Sequence, residues 1–365
     1  MLGSLSEALT TARRDEIAAI QATLEDYRVV GVTGGAESGK TTLLQSALAR
    51  YEQLRSSPVV AIDLDGVYSS RHLARRWLRA VERAVAGPIA ASHISALPQT
   101  MWPASTHRAA HRVREAVEPM AEALDETSGQ RAKGSIEDVA LAIEATARLA
   151  TSTQGPLVLS VDHLEAPELS RSLRVREVLW HVRALSQAHA NVRVVLGCRA
   201  AAAVLAADDA GAYYGDGTWL TIETPGREVW RQLDDSAQLE EVLAMTHGHI
   251  WSTLLLMDRL RRSSRISTHR AFLAIVTEHG DLVARAVQHS AGLHAAGPAM
   301  LLAIANHRGP YEAMADLPTR DIALAARRLE LAGLIERSRP RAWGIVNPIV
   351  AAALRDETSS IDKLR

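Results

Sequence analysis

Lysine is nearly missing from this chain: of 41 basic residues only Lys40, Lys133 and Lys363 are lysines. Cysteine occurs once, at Cys198, which rules out an intramolecular disulfide and predicts a reducing, cytoplasmic setting. At the end of an apolar run, that thiol reads as a small buried hydrophobe. Aromatic residues make up 4% of the sequence, so the core must be built from Leu, Val, Ile and Ala. No run reaches the roughly 20 apolar residues that a membrane helix needs, and no apolar stretch follows Arg13-Arg14, so neither a membrane span nor a signal peptide is expected. The formal net charge is -1, so binding to nucleic acid would need a local patch. What remains is an ordinary globular composition, 47% hydrophobic, over 365 residues. That length suits two or three domains at about 150 residues each.

One lysine of the three lies where a phosphate would need it. Gly34-Gly35-Ala36-Glu37-Ser38-Gly39-Lys40-Thr41 fits G-x-x-x-x-G-K-[ST] in full, and Thr42 follows. The apolar run 28–33 before it reads as a buried strand and 42–50 after it as a helix, which is the context this motif requires. Glycines let backbone N–H groups turn towards phosphate oxygens without Cβ clashes. The helix N-terminus adds partial positive charge. Lys40 is expected to reach the β- and γ-phosphates of ATP, and the Thr41 hydroxyl to complete a Mg²⁺ shell.

Strands are expected at 58–64, 156–162, 191–199 and 218–222, with helices between them. This predicts an α/β fold with a doubly wound parallel five-stranded sheet. The apolar strand 156–162 ends in Asp162, the second expected Mg²⁺ ligand. His163 follows, and Glu165 stands two positions later, so the water-polarising group is open between them. Arg199, at the end of strand 191–199, is a candidate contact to a γ-phosphate. Residues 5–26 read as one or two amphipathic helices, with the cluster Arg13-Arg14-Asp15-Glu16-Ile17 as a solvated helix start and a contact to the nucleotide base as the lesser reading. Gly87-Pro88 is expected to end a helix over 70–86, and further helices are expected at 104–126 and 136–151. His107 and His111 share a helix face but lack a third ligand, so they read as a solvated or core pair.

After Pro225 the strands stop. Helices are expected at 226–244, 250–262 and 268–290, with Arg259, Arg261, Arg262 and Arg265 on a solvated helix end. The last stretch reads helix, short helix, helix from Thr319 as N-cap to about 332, then a hairpin over 334–346. That is winged helix-turn-helix order. Its candidate DNA contacts are Arg320, Arg327 and Arg328 on the third helix and Arg337, Arg339 and Arg341 on the hairpin. A protein-docking or autoinhibitory use of the same face stands equally open. The expected domains are 1–224 with its N-terminal helix 5–26, 225–293 and 294–365.

Taken together, these residues resemble the AAA+ and STAND (signal-transduction ATPase) branch of the P-loop NTPases of the ASCE division, in particular the archaeal-ATPase and origin-recognition-like group. Arg13-x-x-Glu16-Ile17 matches that group's R-x-x-E-[LI] element. Gly34 to Thr41 matches Walker A, Val158 to Asp162 Walker B, and Val194 to Arg199 the sensor-1 strand. The resemblance implies a helical lid over 225–293 and a C-terminal winged helix. Two departures stand out: His163 replaces the usual second acidic residue, and Ile250 replaces the proline of the lid's G-x-P. The implied function is an ATP- and Mg²⁺-dependent switch with slow hydrolysis, joined by self-association or a protein partner. The alternatives are a DNA-binding regulator or replication/transposition ATPase on duplex DNA and, less favoured, a P-loop kinase.

Overall fold

The computed structural model describes residues 2–96, 111, 115, 117–125, 135–167, 173–209, 211–263, 265–339 and 342–362. The chain divides into two compact units. One comprises Ile17–Thr33 and Leu44–Thr221; the other comprises Met1–Glu16, Gly34–Leu43 and Ile222–Arg365.

In chain order, α1 (Leu2–Ala12) and α2 (Arg14–Asp26) precede β1 (Val29–Gly34). Helix α3 (Lys40–Arg55) leads to β2 (Val59–Asp63), then α4 (Ser70–Ala96) and α5 (Ile136–Ser152) to β3 (Leu157–Asp162). Helix α6 (Val175–Ala188), β4 (Val192–Arg199) and β5 (Thr218–Ile222) follow. The five strands form one sheet in the order β2-β3-β4-β1-β5. Strand β3 runs parallel to both neighbours, with Asp63 in register with Asp162 and Leu157 with Val192. Every residue of β3 is buried, as a near-continuous apolar run requires of a strand covered on both faces. Helices α4 and α5 are joined inside the core by the indole N–H of Trp77, which donates to Thr146 Oγ1 at 2.9 Å. Gly31 of β1 lies under Trp219 of β5; a Cβ there would fall 2.1 Å from the ring.

The helical unit contains α7 (Arg227–Leu233), α8 (Leu239–Thr246), α9 (Ile250–Arg262), α10 (Thr268–Glu278), α11 (Gly280–Leu293), α12 (Gly297–Ala305), a single turn at Pro310–Ala313, and α13 (Thr319–Leu331). A hairpin of β6 (Ile335–Arg339) and β7 (Ala342–Ile345) and a last helix, α14 (Pro348–Asp362), complete it. Its core gathers Trp230, Val242, Leu256, Met257 and Ile275 around Phe272, the chain's single phenylalanine. Leu9 of α1 and Ile349 of α14 belong to the same cluster.

The structure departs from the sequence expectations at several points. Helix α4 runs through Gly87-Pro88: a proline removes one N–H from the ladder, and the remaining bonds carry the helix on. The stretch 226–244 is two helices, because the Asp234 carboxylate takes the N–H of Ser236 and closes a turn between them. The stretch 268–290 also divides, at His279, which serves both as C-cap of α10 and N-cap of α11. Pro318, not Thr319, is the N-cap of α13. The tail helix α14 was not expected. His107 and most of the helix expected over 104–126 lie outside the described residues. No helix among the described residues is long and apolar enough to cross a membrane.

Candidate functional site

The helical unit includes the glycine loop. After β1 the chain turns at Gly34 and begins α3 at Lys40. Glu37 and Gly39 take left-handed backbone conformations, φ +61° and +79°. Such turns direct successive N–H groups into one concavity. Gly34 admits no side chain, since a Cβ would lie 2.5 Å from Ser38 Oγ and 2.8 Å from the Ile222 carbonyl. Gly35 has open space instead. The first helical bond, Leu43 N–H to Gly39 O at 3.0 Å, leaves the preceding N–H groups at the open N-terminus of α3. Lys40 is 6% exposed and Ser38 1%, and Ser38 Oγ is buried without a hydrogen-bond partner. Backbone N–H, ammonium and the hydroxyls of Ser38, Thr41 and Thr42 form a set dominated by donors, with one buried hydroxyl unsatisfied. These residues fit a polyphosphate, with Thr41 able to supply an oxygen to a cation. Ala36 and Glu37 sit on the loop's outer turn, where they also line a cavity of about 230 Å³ with His247, His249, His307 and Glu336.

The sheet unit holds the acidic candidates. Asp162 ends β3 and is 7% exposed. Its Oδ1 accepts the His163 N–H at 2.8 Å, and Gly197 of β4 makes room for it: a Cβ there would sit 2.1 Å from Oδ1. His163 has a left-handed backbone, φ +58°, and its Nδ1 lies 2.8 Å from Asp63 Oδ1. Burial pushes the Asp63 carboxyl up, but hydrogen bonds from His163 and the Asp65 N–H, with the charges of His163 and Arg76, outweigh it and hold the group below its ordinary value. Glu165 is 2% exposed; its Oε2 accepts the Arg199 N–H at 3.1 Å, and Oε1 lies 3.6 Å from Arg199 Nε. The structure therefore sorts the sequence candidates into two pairs, His163 with the Asp63–Asp162 strand ends and Glu165 with Arg199. Asp63 was not among the sequence candidates; its signal is an Asp ending the strand beside the one that ends in Asp162. Among the described residues no group of three or more His, Cys, Asp or Glu side chains forms a metal site by itself.

Arg13 corrects the reading of a solvated cluster. It is 2% exposed, and its guanidinium donates to two backbone carbonyls and to Glu16. The C-terminal arginines divide. Arg320 and Arg327 are exposed on α13. Arg328 is partly buried, and its Nη1 donates to the Leu293 carbonyl at 2.8 Å, closing the end of α11. Arg337 lies over Trp343, its hairpin partner, at 4.4 Å from the ring centroid. Arg339 ends β6, and Arg341 falls outside the described residues.

Neither a protein-family profile nor a curated protein sequence matches the chain. Solved structures do. The Walker-type ATPase of Pyrococcus abyssi aligns with a TM-score of 0.58 at 15% identity, covering 94% of this chain and 95% of its own. Cdc6p of Pyrobaculum aerophilum aligns at 0.42 and 10% identity, covering 94% of each chain. The Orc1 protein of Aeropyrum pernix, solved in complex with DNA, aligns at 0.43 and 14% identity, covering 97% of this chain and 94% of its own. With its α/β sheet and glycine loop, the chain has the fold of a Walker-type ATPase over almost its full length.

Proposed function

We propose that this protein binds ATP with Mg²⁺ at the glycine loop and acts as a nucleotide-dependent switch with slow hydrolysis. The observation that carries this reading is the donor set of residues 34–42, with Lys40 held inside it and Ser38 Oγ buried and unsatisfied. The loop amides, Lys40 and Ser38 would hold the phosphates, while Thr41 and Asp162 would hold the cation. A cation held there would supply charge neutralisation at the phosphates. Glu165 is tied to the end of β4, so its role in this reading is to position Arg199. His163, oriented through Nδ1 by Asp63, is left as the group next to Asp162 that deals with water. An imidazole lacks the charge of a carboxylate, which suits slow turnover and a long-lived ATP state.

Lys40→Ala should abolish MgATP binding in a folded protein, since Lys40 starts α3 at the donor-rich concavity and not in the apolar core. Affinity within about threefold of wild type would overturn the assignment. Asp162→Asn should weaken binding only when Mg²⁺ is present. Asp63→Asn should slow turnover more than it weakens binding.

A second reading concerns the output. We infer that residues 294–365 act as a winged helix on duplex DNA, favoured by Arg320, Arg327 and Arg337, which are exposed and have no carboxylate partner among the described residues. Docking of that face on a protein, or on a second copy of the chain, is the competing outcome. A phosphoryl-transfer role on a small acceptor would require that acceptor to accelerate ATP consumption.

A further inference from the structure

The guanidinium of Arg13 makes three bonds to three separate segments. Nε donates to Glu16 Oε1 at 2.9 Å, Nη1 to the Ser38 carbonyl at 2.6 Å, and Nη2 to the Glu223 carbonyl at 2.9 Å. Ser38 belongs to the glycine loop, and Glu223 directly follows β5, ahead of Pro225 and α7. The Ser38–Gly39 peptide is trans, so its C=O and N–H point in opposite directions. Holding the Ser38 carbonyl towards Arg13 therefore turns the Gly39 N–H away from it, to the loop's other side. Gly39 itself packs against this arginine: a Cβ at Gly39 would fall 3.2 Å from Nη1. We propose that Arg13 is a positioning residue that presets the glycine loop for phosphate and ties its shape to the start of the helical stretch at Glu223. The proposal rests on the nucleotide reading above.

The fork geometry is essential. A guanidinium presents parallel donors in one plane, whereas an ammonium is a single point that cannot serve both carbonyls in the same way. With Arg13→Lys, binding of a fluorescent ATP analogue with Mg²⁺ should weaken by about tenfold or more, the loss expected for a charge-assisted bond. The melting temperature without nucleotide should fall by no more than a few degrees, with the protein still folded. Arg13→Ala should bind more weakly still and recover part of its affinity when free guanidinium ion is added, which a merely structural defect would not do. Hydrogen exchange in the nucleotide-free protein gives a readout independent of ligand: the amides of 38–41 should exchange faster in Arg13→Lys, with those of β3 unchanged. Unchanged loop exchange, or unchanged affinity in Arg13→Lys, overturns the proposal. If loop exchange accelerates but the wild-type protein binds no nucleotide, the clamp stands and the nucleotide reading falls.

Discussion

Between Arg227 and Arg285, six arginines of the helical unit each have a carboxylate within ion-pair reach: Arg227 and Arg231 with Glu240, Arg259 with Glu278, Arg261 with Asp234, Arg262 with Asp258 and Arg285 with Asp281. Further along, Arg320, Arg327 and Arg337 are exposed with no carboxylate partner among the described residues, and Arg337 covers a tryptophan face. Residue type and exposure are alike in the two stretches, so neither distinguishes them. What differs is whether the charge is already answered within the fold. A paired arginine must lose its partner before it can meet a phosphate, while an unpaired one needs only to shed water and counterions. The first stretch is thus part of the scaffold, and the second is the candidate surface for a polyanion.

The largest effect should come from removing the unpaired set. Replacing Arg320, Arg327 and Arg337 together by Ala should weaken binding to duplex DNA by on the order of 100-fold at low salt and flatten its salt dependence by about three units, while Arg259→Ala with Arg285→Ala leaves both nearly unchanged. Fluorescence anisotropy across a salt series checks this; equal losses from the two sets would erase the distinction. A second test concerns a charge that the same unit excludes. His249 is 6% exposed, and burial lowers its pKa from 6.5 to about 4. Above pH 6.5 the ring is neutral whether folded or unfolded. Between 6.5 and 4 only the unfolded chain takes up the proton, so stability falls as pH falls, by up to ~3 kcal/mol. His249→Asn keeps an acceptor for the Ser252 N–H, and its unfolding midpoint should be flatter over that window.

Within the paired set, burial should grade the cost. Asp258 is 4% exposed with Oδ1 already unsatisfied, so Arg262→Ala should lower stability by about 1–2 kcal/mol, measured by denaturant unfolding. The Arg285–Asp281 pair is exposed on both sides, and Arg285→Ala should cost no more than about 0.5 kcal/mol. If the two costs are equal, burial does not decide what these pairs contribute.

Much of this architecture was legible in the sequence where the signal is local. The glycine loop, its lysine and the strand that ends in Asp162 are contiguous patterns, and each was read at its place. Helix α9 follows the expected 250–262 to the residue because one apolar stripe is bounded by a left-handed His247-Gly248 and a polar end. The partnerships were not legible. His163 meets Asp63 across 100 residues, and Arg13 meets Glu223 across 210. No periodicity encodes such distances. A charged side chain near a helix start looks solvated until the carbonyls that surround it are known. Arg328 shows the same limit, since its spacing matches that of Arg327 while its donor goes to Leu293.

Leu9 sits in one cluster with Trp230, Leu254 and Leu260. On the ribosome these partners are made long after it. At about 5–20 residues per second, the first helix must wait roughly 10–50 s before residues 230–260 exist to cover it. Through that interval Leu9 and its apolar neighbours are exposed to whatever else is in the cell. The sheet unit can close around its own strands while the helical unit cannot, so synthesis sets an order: the sheet first, then the cluster that Leu9 joins. A chain ending at about residue 225, once released from the ribosome, should have its sheet protected from protease and its first helix open to it.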